Sequence, residues 1–227
     1  MANRDFKVDY YRDAITGGLH QRLDFIEQKL SIQNAGTDNA AVVGFEDFLF
    51  SGLNFTGQGP NSPTQKTFKD DIELPAFAGT GTKVEEGWFT IHLTHKLAAN
   101  TNMTVHLHLT HNVASPSGNI KFYVDVMYAR GYLGTYGTQV TLSTTVTPAT
   151  QYEHIITPDD DMTIVANTTF SDPLEVDGVL LGRVYRDPAD AADTFANDVF
   201  LIQSDIHFSV GQFTTTERNR PFTNEGF

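Results

Sequence analysis

Five of the chain's eight histidines, His92, His95, His106, His108 and His111, fall between residues 92 and 111. Imidazole ligates zinc and related metals, so such a group could hold a metal. His106 and His108 are two apart, which on a strand turns both to one sheet face. A metal centre needs more than that pair. His154 and His207 could each supply a ligand, but nothing in their spacing requires it.

Jelly-roll cupins place a Glu a few residues after a His-x-His pair and a third His on a later strand. Here His108 is followed by Leu109, Thr110, His111, Asn112 and Val113, so the Glu is missing. No later Gly/Pro-rich segment carrying a His completes the pattern. The expectation is a polar sheet face or subunit contact lined with His and Thr, with no metal ligand, cofactor-binding residue or catalytic residue.

The acidic clusters lead to a similar result. Asp159, Asp160 and Asp161 are consecutive, and Asp187, Asp190, Asp193 and Asp198 form a second group. Neither has the alternating ligands, central Gly and terminal Glu of a calcium loop, so solvated turns are expected. Glu85, Glu86, Glu153 and Glu175 carry no local signature of paired-carboxylate catalysis. The run Gly79-Thr-Gly-Thr-Lys83 lacks the glycine spacing and the Gly-Lys-Ser/Thr ending of a phosphate loop, and reads as a turn between strands. No Ser nucleophile elbow is present. Tyr123, Tyr128, Tyr132 and Tyr136 surround Arg130, and their rings could stack on sugars, pack in a core or line a subunit contact.

The elements that must position these residues are strands. Phe89, Ile91 and Leu93 alternate with Trp88, Thr90, His92 and Thr94, and Val105, Leu107 and Leu109 alternate with Thr104, His106, His108 and Thr110. Period-two patterning predicts strands over Val42–Phe50, Trp88–Thr94, Met103–Thr110, Asn119–Ala129, Gln139–Thr147, Gln151–Thr157, Asp161–Thr169, Gly178–Arg186 and Asp198–Gly211. In the last, Phe200, Ile202, Ile206, Phe208 and Val210 are expected on one face. Residues 56–83, rich in Gly, Pro, Ser and Thr, read as a long loop. Only residues 1–36 look helical: Leu19, Leu23, Ile26 and Leu30 form a short heptad seam. The fold class predicted is all-β, an antiparallel β-sandwich of jelly-roll type with a short N-terminal α-helix. Residues 1–36 would be the helical anchor or oligomerisation segment, and residues 37–227 the sandwich with an extended tail over 214–227.

Composition limits the partners. A net charge of −13 excludes nucleic acid as the main partner and disfavours anionic membrane surfaces. No run of 18 apolar residues could span a bilayer, and no secretory signal is visible at Met1-Ala-Asn-Arg. The chain has no cysteine, which removes disulfides and thiol chemistry. Its 17 Phe and 8 Tyr against a single Trp suit pleated, half-buried surfaces.

The order of several segments resembles a known group. Val105-His-Leu-His-Leu109 is followed by Gly118–Val126, then Gly182-Arg-Val-Tyr-Arg186, then Asp193–Ile202 running into Asp205-Ile-His-Phe208. Across roughly residues 88–220 this is similar to tailed-bacteriophage virion proteins of the tail-fibre, neck and head-appendage type. The resemblance implies a non-enzymatic, homotrimeric β-sandwich appendage. It would be made in the host bacterial cytoplasm, displayed on the virion and joined to other virion proteins through the N-terminal segment. Host-surface glycan is a further candidate partner. Two alternatives stand beside it: a lectin-like carbohydrate or receptor-binding module, and a cupin-type metal-dependent enzyme.

Overall fold

A computed structural model describes residues 42–49, 61–98, 101–131 and 133–211. The predicted N-terminal helix, its seam Leu19, Leu23, Ile26 and Leu30, and the tail 214–227 lie outside the described residues. The described chain is mostly β. In order it forms β1 (Val42–Leu49), β2 (Thr64–Lys69), β3 (Ile72–Phe77), β4 (Glu85–His92), β5 (Met103–Thr110) and β6 (Ile120–Ala129). There follow β7 (Val140–Val146), β8 (Ile155–Ile156), β9 (Thr163–Ile164), β10 (Val179–Arg186) and β11 (Val199–Gly211), with one 3-10 turn at Asp160–Met162.

These strands make two antiparallel sheets. One has seven strands in the order β2-β3-β11-β5-β8, with β1 also paired to β11 and β9 to β5. The other has four, in the order β4-β10-β6-β7. Alternation decides which face of each strand is buried. Phe89 and Ile91 of β4, Val105, Leu107 and Leu109 of β5, and Phe122, Val124 and Val126 of β6 share one apolar cluster with Val184 and Ile206. The sheets therefore bury their inner faces against a common core, and their outer faces carry the polar residues of each alternation.

Three expectations need correction. Residues 56–83 are not one long loop, because β2 and β3 pair within them as a hairpin. β2 is an edge strand, exposed at nearly every position, so it has no apolar period to read. Within β3, Pro75 pairs with Gln65 of β2, while β3 pairs with β11 only at Ala76 and Phe77, so Pro75 lies past that second ladder and its missing N–H costs nothing there. Second, Gln151–Thr157 and Asp161–Thr169 contain only the two-residue strands β8 and β9. Third, a register shift in β11 between Leu201 and Gln203 breaks its expected face. Leu201 joins the core, Ile202 is exposed, and Phe200 turns outward to meet Phe68 at 5.3 Å between ring centroids. An extra residue in a strand flips every side chain beyond it.

Gly182 shows how tightly the inner face is filled. A methyl added there would lie 1.9 Å from Cζ of Phe89, its register partner on β4. Glycine is a poor strand residue, and here its missing side chain is the space occupied by the Phe89 ring. Gly182→Ala should therefore destabilise the fold by about 1–3 kcal/mol, measured by chemical denaturation. A neutral effect would mean that the ring has room to move.

At the end of β10, Arg186 is fully buried and satisfied. Its Nε and Nη2 donate to Asp193 Oδ2 and Oδ1 at 2.7 and 2.8 Å. Nη1 donates to the carbonyls of Phe77 (3.1 Å) and Asn197 (2.8 Å), and Nη2 also to that of Phe195 (2.5 Å). One guanidinium thus ties the 187–198 connection and the end of β3 to β10.

Candidate functional site

The outer face of the four-stranded sheet is built as rows across strands. Trp88, Arg183, Asp125 and Thr141 stand in register from β4 to β7, and Glu86, Tyr185, Tyr123 and Ser143 form the next row. Cross-strand neighbours on one face lie close enough to pack, and these rows interlock. Lys121 Nζ sits 4.8 Å from the Tyr123 ring centre, and Tyr123 stacks on Tyr185 at 4.9 Å and 8°. Arg183 lies 4.0 Å over Tyr185 and 6.0 Å from Trp88. The order along this stack is cation, ring, ring, cation, ring, and each cation lies against a ring as the ring's quadrupole favours.

Carboxylates hold the cations in place. Arg183 Nη1 is 3.2 Å from Glu86 Oε2, and Arg183 Nε is 3.4 Å from Asp125 Oδ2. The second contact is an ion pair off the N–H axis, so the buried Nε has no hydrogen-bond partner among the described residues. Asp125 Oδ1 accepts a 2.6 Å hydrogen bond from Thr141. At the other end the Tyr123 hydroxyl donates to Asp190, which also pairs with Lys121 at 3.2 Å. That hydroxyl, the Ala192 N–H and Lys121 bring the Asp190 carboxyl down to about 2. Burial, followed by the Asp190 carboxylate, pushes the Tyr123 hydroxyl up; burial and Asp125 do the same to Tyr185.

Beside the stack lies an open groove of about 200 Å³. Trp88, half exposed, and Leu181 form its apolar walls, and Thr90, Asp125, Gln139 and Arg183 are its polar points. Clefts for drug-sized ligands run to about 300–1,000 Å³, so this one suits a smaller body such as a single sugar ring. An indole wall fits the C–H face of a pyranose, and a carboxylate, a guanidinium and an amide offer both acceptors and donors to hydroxyls.

Of the tyrosines picked out from sequence, the structure brings only Tyr123 to this face. Tyr128 is a core residue whose hydroxyl donates to the Pro173 carbonyl and accepts from the Glu175 N–H, with burial pushing it up to about 12. Tyr136 is exposed elsewhere in the chain, and Tyr132 lies outside the described residues. Trp88, Arg183, Asp125 and Gln139 were not selected from sequence. Their one available signal was a solitary Trp on the polar side of a clean alternation.

The acidic groups are mostly structural, which corrects the expectation of solvated turns for some of them. Asp193 has no exposed side-chain surface, Asp190 belongs to the stack, and Asp198 pairs with Lys66 at 2.6 Å. Asp187 caps the Ala189 N–H, Asp161 accepts from Thr144, and Asp159 faces His106. Glu85 accepts from the Ala78 N–H and pairs with Lys83, which places the Gly79–Lys83 connection against β4. Glu175 pairs with Arg130, and Glu153 is held below the usual carboxylate range by the Ala149 and Thr150 N–H groups.

The described histidines divide into three sets. His92 and His95 approach Asp177 Oδ1 at 3.4 and 2.9 Å. His106, His108, His154 and His207 lie on or beside the outer face of the seven-stranded sheet. Among the described residues no group of three or more His, Asp or Glu is placed to hold a metal ion. His111 is fully buried, its ring edge-on to Phe195, and its Nδ1 accepts from the Val113 N–H. Nε2 therefore carries the proton, with no partner among the described residues.

Burial pushes the His111 imidazole down from its ordinary value, against a smaller opposing pull from Glu153. The unfolded ring protonates near pH 6.5, above the folded one. The stability His111 contributes is thus present above about pH 6.5 and is lost as pH falls toward its folded value. His111→Phe should flatten the fall in stability between about pH 7 and pH 5 relative to wild type, read from denaturation midpoints at each pH. Identical slopes would place the proton-linked loss at another residue.

No protein-family model matches this chain, and no curated protein matches it.

Proposed function

We propose that this protein is a non-enzymatic recognition subunit, a homo-oligomeric bacteriophage appendage of jelly-roll type that engages neutral glycan through the groove at Trp88. The observation that carries the glycan reading is the half-exposed Trp88, fixed beside Arg183 and Asp125 at the edge of a groove the size of one sugar ring. Both carboxylates at Arg183 and the overall charge of −13 favour neutral over acidic sugars.

The order of strands supports the jelly-roll reading. Taken along the chain from β3, strands pass between the sheets so that β3-β11-β5 with β8 and β9 faces β4-β10-β6-β7, a double Greek key. That architecture serves viral capsid proteins and lectins alike. The appendage context rests on the resemblance across residues 88–220, and the oligomer on the seam Leu19, Leu23, Ile26 and Leu30.

Affinity arithmetic links the two parts of this reading. A hexose of about twelve heavy atoms, at about 0.3 kcal/mol each, gains about 4 kcal/mol, a Kd of about 1 mM. Such weak sites become useful when several copies are displayed together. The test uses the chain's single Trp as a local reporter. Titration with a panel of neutral oligosaccharides should change Trp88 fluorescence saturably for at least one member. No response in the panel, together with no retention on a glycan array, would remove the glycan reading.

A further inference from the structure

The outer face of the seven-stranded sheet carries a line of five titratable groups unconnected with the groove. His106 Nε2 lies 2.6 Å from Asp159 Oδ1, and His106 Nδ1 lies 3.2 Å from Asp205 Oδ1. His108 Nε2 lies 2.8 Å from Asp205 Oδ2, and His108 Nδ1 lies 2.9 Å from His154 Nε2. Asp205, at the centre, has a side chain only 5% exposed, and both flanking imidazoles are 12% exposed.

Protons can be counted along this line. Four contacts need four hydrogens, and three neutral imidazoles supply three. His106 must give its hydrogen to the 2.6 Å contact with Asp159. His108 gives its own to Asp205, and His154 gives its own to His108 Nδ1. The contact left without a hydrogen is the ion-pair approach of His106 Nδ1 to Asp205 Oδ1, a buried oxygen that has no hydrogen-bond partner among the described residues. A single added proton, making His106 an imidazolium, places its charge between the Asp159 and Asp205 carboxylates. With a second on either His108 or His154 their contact still holds one hydrogen; only when both rings are charged does N–H meet N–H across 2.9 Å and the contact break.

The line joins two parts of the fold. His106 and His108 belong to β5 and Asp205 to β11, whereas His154 and Asp159 belong to the segment 147–164. That segment leaves β7 of the four-stranded sheet and pairs with β5 through β8 and β9. Met162 and Ile164 anchor its far end in the core. Its near end, 149–156, is held more lightly: the Tyr152 N–H donates to the His111 carbonyl, Gln151 to the Asn112 carbonyl, and Tyr152 packs edge-on to Phe68. The other charged groups at hand are His207, 5.6 Å from the His106 ring, Asp47 of β1 at 3.9 Å from His207, and Glu153 within the segment itself.

We propose that this line is a proton-operated latch on the 147–164 segment. The first proton, at His106 Nδ1, closes it, and the charging of both His108 and His154 releases residues 149–156. This is independent of the glycan reading, since it involves the opposite sheet.

Amide hydrogen exchange, each rate divided by its intrinsic rate, tests the latch between about pH 7.5 and pH 5, where histidine changes charge. In wild type, protection over 149–156 should fall about tenfold or more, while β9 keeps its own. His154→Gln keeps an N–H for His108 Nδ1 and cannot charge, and the exposed position 154 tolerates the change. Its protection should stay within about twofold across the same range. Undiminished protection in wild type overturns the proposal, as does an equal loss in His154→Gln. Imidazole nitrogen spectra over the same range should show the first added proton on His106; its arrival first on His108 or His154 also overturns it.

Discussion

Asp193→Asn should lower the melting temperature by about 6–20 °C, a large effect for a substitution outside the apolar core. Neither Arg186 nor Asp193 exposes any side-chain surface, and the guanidinium uses every donor position it has. Breaking a buried pair by neutralising one partner costs about 3–5 kcal/mol, because the remaining charge stays desolvated. In a domain of this size each kcal/mol corresponds to about 2–4 °C. Arg186→Met should cost more than Asp193→Asn. It strands the carboxylate and also leaves the carbonyls of Phe77, Phe195 and Asn197 without their donor. The double variant Arg186→Met/Asp193→Leu removes the unpaired charge but not those orphaned carbonyls, so it should recover only part of the loss. Calorimetry on the three variants measures this order. A shift below about 2 °C for Asp193→Asn would mean that water reaches the pair.

The second large effect concerns binding. Trp88→Ala should weaken glycan binding by about 30-fold, equivalent to about 2 kcal/mol, with little change in melting temperature. Trp88 is 45% exposed and only one face of it meets Arg183, so its removal empties the groove wall without opening the core. Because this variant loses the fluorescent reporter, affinity is read by calorimetry or ligand-observed NMR. Gln139→Ala, an exposed change at the opposite side of the groove, should weaken binding by a smaller factor of about 3–10, as expected for one hydrogen bond. Unaltered affinity in both variants would move the ligand elsewhere on the protein.

The strand alternations were legible because burial on one face writes a period of two into the chain. Phe89, Ile91 and Leu93 against Trp88, Thr90 and His92 is one example, and Val105, Leu107 and Leu109 against His106 and His108 is another. The hairpin β2-β3 was not legible. Its first strand is an exposed edge with no buried side to leave a pattern, and Pro75 of the second lies past the pairing with β11. The bulge at Leu201–Gln203 was equally hidden, since either register of Val199–Phe208 offers apolar residues to a core.

What the sequence determined by itself was the class of material: antiparallel strands, no thiol chemistry, an acidic surface and a His-rich sheet face. Each follows from composition or from contacts within one strand. Only the tertiary structure decided which residues share a site. Trp88, Asp125 and Arg183 sit on three different strands and meet because β10 lies between β4 and β6. His108 likewise meets Asp205 through the pairing of β5 with β11, across 97 positions of sequence. Local periodicity reports which way a side chain points, whereas the neighbour it finds there is set by strand order, which no local pattern encodes.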